Sequence, residues 1–188
     1  MGVDTEMAAF EITYTVDHDS FLEFVSTFNS ETEKQFSQFK GLSTNEIEFK
    51  VFNSGRLNFF LKLEGRLAGY AFLVHKNHHV VNFGLVITPI YQRLGYGPLL
   101  LRYLINWARN AGYKKIWGAC FDDNETALRL YKKLGFRFEG IFLNEEKTAQ
   151  DGKETYRHLY SLAMYFGRNE GSSYEYFIDK FKNLYENL

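Results

Sequence analysis

The stretch that most constrains this chain is Thr88 to Leu99, which reads Thr-Pro-Ile-Tyr-Gln-Arg-Leu-Gly-Tyr-Gly-Pro-Leu. An apolar run, Val80 to Ile87, leads into it, and a helical pattern from Leu99 to Ala111 follows. The order is strand, glycine-punctuated loop, helix. Glycines accept φ values that a side chain forbids and let the backbone approach a ligand closely. A helix N-terminus adds unpaired N–H groups and a partial positive charge, so the stretch predicts an anion site suited to phosphate or pyrophosphate. Two common phosphate loops do not fit. A dinucleotide fingerprint lacks its third glycine, because Pro98-Leu99-Leu100 follows Gly97, and a Walker loop lacks its Lys-Ser or Lys-Thr.

What fits is Q/R-x-x-G-x-G, as Gln92-Arg93-Leu94-Gly95-Tyr96-Gly97, which resembles the acetyl-CoA pyrophosphate loop of the GNAT acetyltransferase superfamily. Farther on, Phe121 to Phe136 reads FDDNETALRLYKKLGF. It is similar to the family's strand–helix–strand pattern N-x-x-A-x-x-x-Y-x-x-x-G-F, with Asn124, Ala127, Tyr131, Gly135 and Phe136 in register. The resemblance spans roughly Phe10 to Phe166 and is weakest before Arg56. It implies an α+β (α/β/α layered) fold: a mixed, mostly antiparallel twisted sheet of six to seven strands with helices on both faces.

The resemblance also implies an activity: transfer of the acetyl group of acetyl-CoA to a primary amine by direct attack, with no metal. In the family, amides like those of Gln92 to Gly97 hold the pyrophosphate. A strand in the place of Leu85-Val86-Ile87 pairs with the pantetheine arm. By the same resemblance Asn124 hydrogen-bonds CoA and Tyr131 is the general acid for the CoA thiolate. Asn124 also fits a plain helix N-cap, and Tyr131 a core residue. Pro98 departs from the Ser or Thr common in the family and removes one N–H from the phosphate cradle, leaving Arg93 to Gly97 to supply it. Val80 to Thr88 contains no carboxylate, and Ala119 stands where some relatives carry Glu, so the general base stays open: water, a His from 75–79, or a carboxylate of residues 1–50. The acceptor is open among a small amine, an amino sugar and a protein N-terminus. The Phe136–Phe166 region is similar to that of ribosomal-protein-acetylating and polyamine-acetylating relatives. The alternative is a catalytically inactive CoA-binding regulatory module.

Composition narrows the rest. With 188 residues and 45% hydrophobic content, one domain over residues 1–166 is expected, followed by a linker and an amphipathic helix in 167–188. That last helix carries Tyr174, Phe177, Ile178, Phe181, Leu184, Tyr185 and Leu188 on one stripe, to bury on its own domain or in a homodimer. The apolar runs are too short for a membrane span, and no secretory pattern opens the chain. A lone cysteine, Cys120, fits a reducing cytoplasm and a buried structural role. Residues 1–50 hold ten acids against three bases, and residues 51–140 thirteen bases against five acids, so the proposed polyanion site lies in the basic part. No concentrated basic cluster points to nucleic acid. His75, His78 and His79 lack the further ligands of a metal site.

Capping-box spacings at Ser20–Glu23, Ser30–Glu33 and Ser43–Glu46 predict helices near 20–28, 31–39 and 44–53. Phe21, Phe24, Phe28, Phe36, Phe39, Phe49 and Phe52 should mostly be core. Strands are expected over 10–16, 56–63, 66–75, 79–87, 116–121, 136–143 and 153–166, with Lys76-Asn77 as a turn. The helix from Pro98 should bury Leu101, Leu104, Ile105 and Ala108 and stop at Gly112.

Overall fold

The computed structural model describes residues 9–150 and 153–167. The expected linker and last helix, from residue 168 onward, lie outside the described residues, as does the Asp151-Gly152 loop. Strands β1 (Phe10–Thr13), β2 (Leu57–Leu63), β3 (Arg66–Asn77), β4 (Val80–Ile87), β5 (Lys115–Phe121), β6 (Arg137–Gln150) and β7 (Lys153–Tyr165) form one sheet. Its order is β1-β2-β3-β4-β5-β7-β6. The chain gathers into two compact units, one drawn from Met1–His75 with Asn82–Trp107, the other from Lys76–Val81 with Ala108–Leu188.

In the first unit, β1 and β3 each pair antiparallel with β2. The β2–β3 turn, Glu64-Gly65, places both residues at positive φ, 49° and 80°, the twist that suits a two-residue hairpin. Three helices come between β1 and β2, namely α1 (His18–Ser26), α2 (Ser30–Gln35) and α3 (Thr44–Phe52). Two of the predicted capping boxes give way to stronger neighbours. The carboxylate of Asp17 accepts the Ser20 N–H at 2.8 Å and starts α1 early, and the side chain of Asn29 accepts the Thr32 N–H at 2.9 Å to start α2. Only Ser43–Glu46 forms as predicted, Glu46 accepting from both the Ser43 N–H and its hydroxyl at 2.8 and 2.6 Å. The helix expected to reach residue 39 ends at Gln35, because Phe36 leaves helical geometry (φ −116°, ψ 72°) to bury its ring.

Tyr70 lies at the centre of this core, fully buried, with the rings of Phe21, Phe36, Phe39, Phe60 and Phe72 packed around it. Its hydroxyl donates to Asn58 Oδ1 at 2.9 Å, so the buried polar tip is satisfied. Of the seven predicted core phenylalanines only Phe49 is exposed, at 63%. Helix α4 (Tyr96–Asn110) begins two residues before Pro98 and buries Leu100, Leu101, Leu104, Ile105 and Ala108. Each buried leucine or isoleucine contributes about 1.5–3 kcal/mol, which holds the helix, and with it the preceding loop, in place.

In the second unit, β7 lies between β5 and β6 and pairs antiparallel with both. Strand β6 runs seven residues past the predicted end at Leu143, with register shifts at Phe138/Gly140 and Phe142/Glu146. These bulges let one long strand absorb the polar segment that looked like a loop. Strand β3 continues through Lys76 and Asn77, so the turn falls at His78-His79 instead. Helix α5 (Glu125–Lys133) follows β5, and Gly135 after it sits at φ 90°, the left-handed geometry expected of a C-terminal cap.

Candidate active site

In the first unit, β4 ends at Ile87, and Thr88 is tied down by its N–H to the Ala68 carbonyl at 2.9 Å. One 3₁₀ turn, Pro89–Tyr91, redirects the chain toward Gln92. The Gln92 side-chain amide donates to the Ile87 carbonyl at 2.9 Å and to Thr32 Oγ1 at 3.2 Å. Gln92 therefore ties the loop to β4 and α2. Arg93 and Gly95 adopt positive φ, 63° and 92°. Left-handed residues within a short loop curl the backbone so that successive N–H groups form an anion-binding concavity. Among the described residues, the amides of Arg93, Leu94, Gly95, Tyr96 and Gly97 have no acceptor. The Gly95 carbonyl accepts from Leu99 N–H at 3.2 Å, closing the first turn of α4. Tyr96 and Gly97 are thus first-turn residues, and the helix starts inside the motif rather than after it. The Tyr96 ring is buried, edge-on to Tyr91 at 6.2 Å, so only its backbone is offered to a ligand.

Strand β4 alternates buried and half-buried until Gly84, after which Leu85 is half-buried and Val86 and Ile87 are buried. The backbone here is crowded by its own unit. A Cβ on Gly84 would lie 2.5 Å from the Phe72 ring, and one on Gly69 would lie 2.7 Å from Ile87 Cδ1. Neither glycine belongs to a sequence motif. A glycine inside a strand pattern is the signal that would have found them.

In the second unit, β5 ends at Phe121 and a turn, Asp122-Asp123-Asn124, leads into α5. Asn124 Oδ1 accepts the Ala127 N–H at 3.0 Å, so this residue is the α5 N-cap. The capping role was one of the two readings of Asn124, and its side-chain N–H groups are not used by it. Tyr131 is 7% exposed and packs against Phe136, with ring centroids 5.5 Å apart. Burial pushes its phenol pKa up, and the neighbouring Cys120 adds to the shift, so the hydroxyl keeps its proton. Burial likewise pushes the Cys120 thiol up to about 12, with the Asp122 charge adding to it, which fits an inert structural cysteine.

Arg157 escaped the sequence reading altogether. Only 5% exposed, it pairs with Asp123 at 2.7 Å and Glu146 at 2.5 Å, and lies 3.6 Å over the Phe121 ring. It anchors the turn that carries Asn124. No sequence signal marks it, because a single arginine in a strand does not announce its partners. His75, His78 and His79 are all exposed. Among the described residues no group of His, Cys, Asp and Glu could hold a metal ion, and no helix is long and apolar enough to cross a membrane.

Residues 16–136 match the model of the acetyltransferase (GNAT) family. The chain belongs to that family. The GNAT relatives it resembles include the ribosomal protein bS18-alanine N-acetyltransferase of Escherichia coli K12. The two are 34% identical over 98 residues, covering 52% of this chain and 66% of the relative, just under two thirds of that protein's length. The crystal structure of the Escherichia coli ribosomal-protein-S18-alanine N-acetyltransferase superposes with a TM-score of 0.66 at 21% identity, covering 87% of this chain and 99% of that one. A Salmonella typhimurium protein described as an acetyltransferase, solved with its cofactor acetyl-CoA, gives 0.67 at 17% identity, covering 87% and 97%. At these identities the structural likeness shows the GNAT fold, and the seven-stranded, mostly antiparallel sheet matches it.

Proposed function

We propose that this protein is an N-acetyltransferase that moves the acetyl group of acetyl-CoA to a primary amine in the cytoplasm. The observation that carries the reading is the row of unpartnered amides from Arg93 to Gly97 at the start of α4. A diphosphate answers such a row well, because charge-assisted hydrogen bonds to backbone N–H groups are about twice as strong as neutral ones. The Arg93 side chain adds a cation, and by the family resemblance the β4 backbone at Leu85, Val86 and Ile87 is the segment that pairs with an amide-bearing arm. Bound acetyl-CoA supplies an activated thioester.

The chain's own contribution is to hold and to protonate. In the proposed reaction the amine nitrogen bonds to the acetyl carbon and the C–S bond breaks. Tyr131 Oη, kept protonated by its burial, is the assigned donor of the sulfur's proton, and the proton that the amine releases to water restores the phenol, so one proton leaves nitrogen for each one gained by sulfur. Asn124 caps α5 with Oδ1 and has its amide N–H groups left for the co-substrate. The acceptor class is a small amine, an amino sugar or a protein N-terminus. The bS18-alanine relative is named for the last of these.

Two measurements test the reading. Calorimetric titration of the full chain should give saturable binding of acetyl-CoA, and thiol release across an amine panel should identify at least one acceptor. Binding with no release from any amine would favour an inactive CoA-binding module. No binding at all would end the proposal.

A further inference from the structure

The first unit contains a second feature that the co-substrate reading does not use. A cavity of about 230 Å³ is lined by α1 (Ser20, Glu23, Phe24, Thr27), the adjoining ends of β2 and β3 (Lys62, Arg66) and the turn after β4 (Thr88, Tyr91). Its chemistry is divided. Thr27 gives its hydroxyl proton to the Phe24 carbonyl at 2.6 Å. The 2.8 Å bond between Thr27 Oγ1 and Thr88 Oγ1 must therefore use the Thr88 proton. The hydroxyl oxygen of Thr88, a buried residue that lines the cavity, then has only lone pairs to offer a ligand. Together with the Glu23 carboxylate it makes an accepting side, suited to an ammonium group. Lys62 and Arg66 make a donating side. Among the described residues neither Glu23 nor Arg66 has an ion pair of its own. Phe24 supplies an apolar wall, and Val16 and Leu67 also line the cavity.

We infer that this cavity is the acceptor pocket and that it takes a compact amine bearing its own anionic group, a carboxylate or a phosphate. The inference rests on the acetyl-CoA reading above and narrows it. Three arguments support the assignment. Thr88 directly follows Leu85-Val86-Ile87, the strand segment assigned to the pantetheine arm, so the pocket and that segment share one piece of backbone. The cavity has room for a compact ligand of amino-acid or amino-sugar size. Arg66 with Lys62 would be an obstacle to a purely cationic amine, since like charges in a shared pocket repel, whereas an ammonium paired with an anion satisfies both sides. A peptide N-terminus presents an ammonium without the adjacent anion.

Matched acceptor pairs test this on the full chain. Thiol release is followed with L-alanine against ethylamine, L-leucine against 3-methylbutylamine, and glucosamine 6-phosphate against glucosamine. The expected result is that at least one anion-bearing member exceeds its partner about tenfold or more in kcat/KM, as one charge-assisted contact permits. The first two pairs report a carboxylate and the third a phosphate. Arg66→Gln should shrink that ratio about fivefold or more, and Glu23→Gln should raise KM for the preferred acceptor, while the calorimetric Kd for acetyl-CoA holds steady in both variants. Melting temperatures near that of the parent chain confirm that the variants fold. A flat ratio across all three pairs, or one unmoved by Arg66→Gln, overturns this inference while intact acetyl-CoA binding leaves the acetyltransferase reading standing. Loss of acetyl-CoA binding in the unmodified chain is the separate result that removes both.

Discussion

The loop from Gln92 to Gly97 and the segment from Asp122 to Tyr131 are made of different material. The loop is built from backbone: five amides without acceptors, two residues at positive φ, and a side chain, Gln92, spent on anchoring. The segment is built from side chains: the Asn124 cap, the buried Tyr131 phenol, and Arg157 reaching in from β7 to hold Asp123. A backbone site is written in the residues that permit its conformation, so a few glycines announce it. A side-chain site depends on how its surroundings tune each group, and those surroundings come from distant parts of the chain.

The difference can be broken or sharpened by substitution, beginning with the largest expected effect. Tyr131→Phe removes the phenol hydroxyl and almost no apolar packing. It should lower kcat about 100-fold or more, the usual loss for a general acid, with little change in the KM for acetyl-CoA. A kcat within a few-fold of the parent would make Tyr131 a core residue and leave the segment without chemistry. Next, Arg157→Met strands the carboxylates of Asp123 and Glu146 beside a buried methionine. Asp123 is 38% exposed, which tempers the penalty, so denaturant unfolding should show a loss of about 2–3 kcal/mol. A neutral outcome would mean that the segment holds its shape without the long-range clamp.

Gly95→Ala tests the backbone site directly. At φ 92° a Cβ costs about 1–2 kcal/mol, so acetyl-CoA affinity should fall roughly five- to thirtyfold while kcat at saturation changes little. A loss of kcat without loss of affinity would contradict the proposed division between a binding loop and a catalytic segment. The smallest effect is one of pH. Burial raises the Cys120 pKa in the folded chain from 9.0 to about 12. Its contribution to stability is complete below about pH 9, because neither state ionises there, and is lost as pH rises toward 12, because the unfolded chain ionises first. Between pH 8 and pH 10 the chain should lose about 1 kcal/mol from this source, and Cys120→Ala should lose correspondingly less. An equal loss in both would show that the thiol is open to solvent.

Much of the fold was legible because it rests on local physics. Alternation in β1 and strand-like runs bounded by turn residues located the seven strands, and 3.6-residue periodicity picked the buried face of α4. The errors are local too, and each has a named competitor. Asp17 and Asn29 outbid Ser20 and Ser30 as caps, and Phe36 exchanged helical geometry for burial of its ring. The end of β6 was misjudged because a polar strand with bulges looks like a loop until its partner is known.

The sequence by itself determined that this is a GNAT chain. Glycines at fixed spacing and the Asn124–Phe136 register are conformational requirements that can be read residue by residue. Only the tertiary structure decided what those residues experience. It inserted β7 between β5 and β6, brought Arg157 to Asp123 across 34 positions, buried Tyr131, and closed α1 over Lys62, Arg66 and Thr88 to make a two-signed cavity. The reason is physical. A φ angle belongs to one residue, but burial and charge pairing are properties of neighbours that only folding supplies.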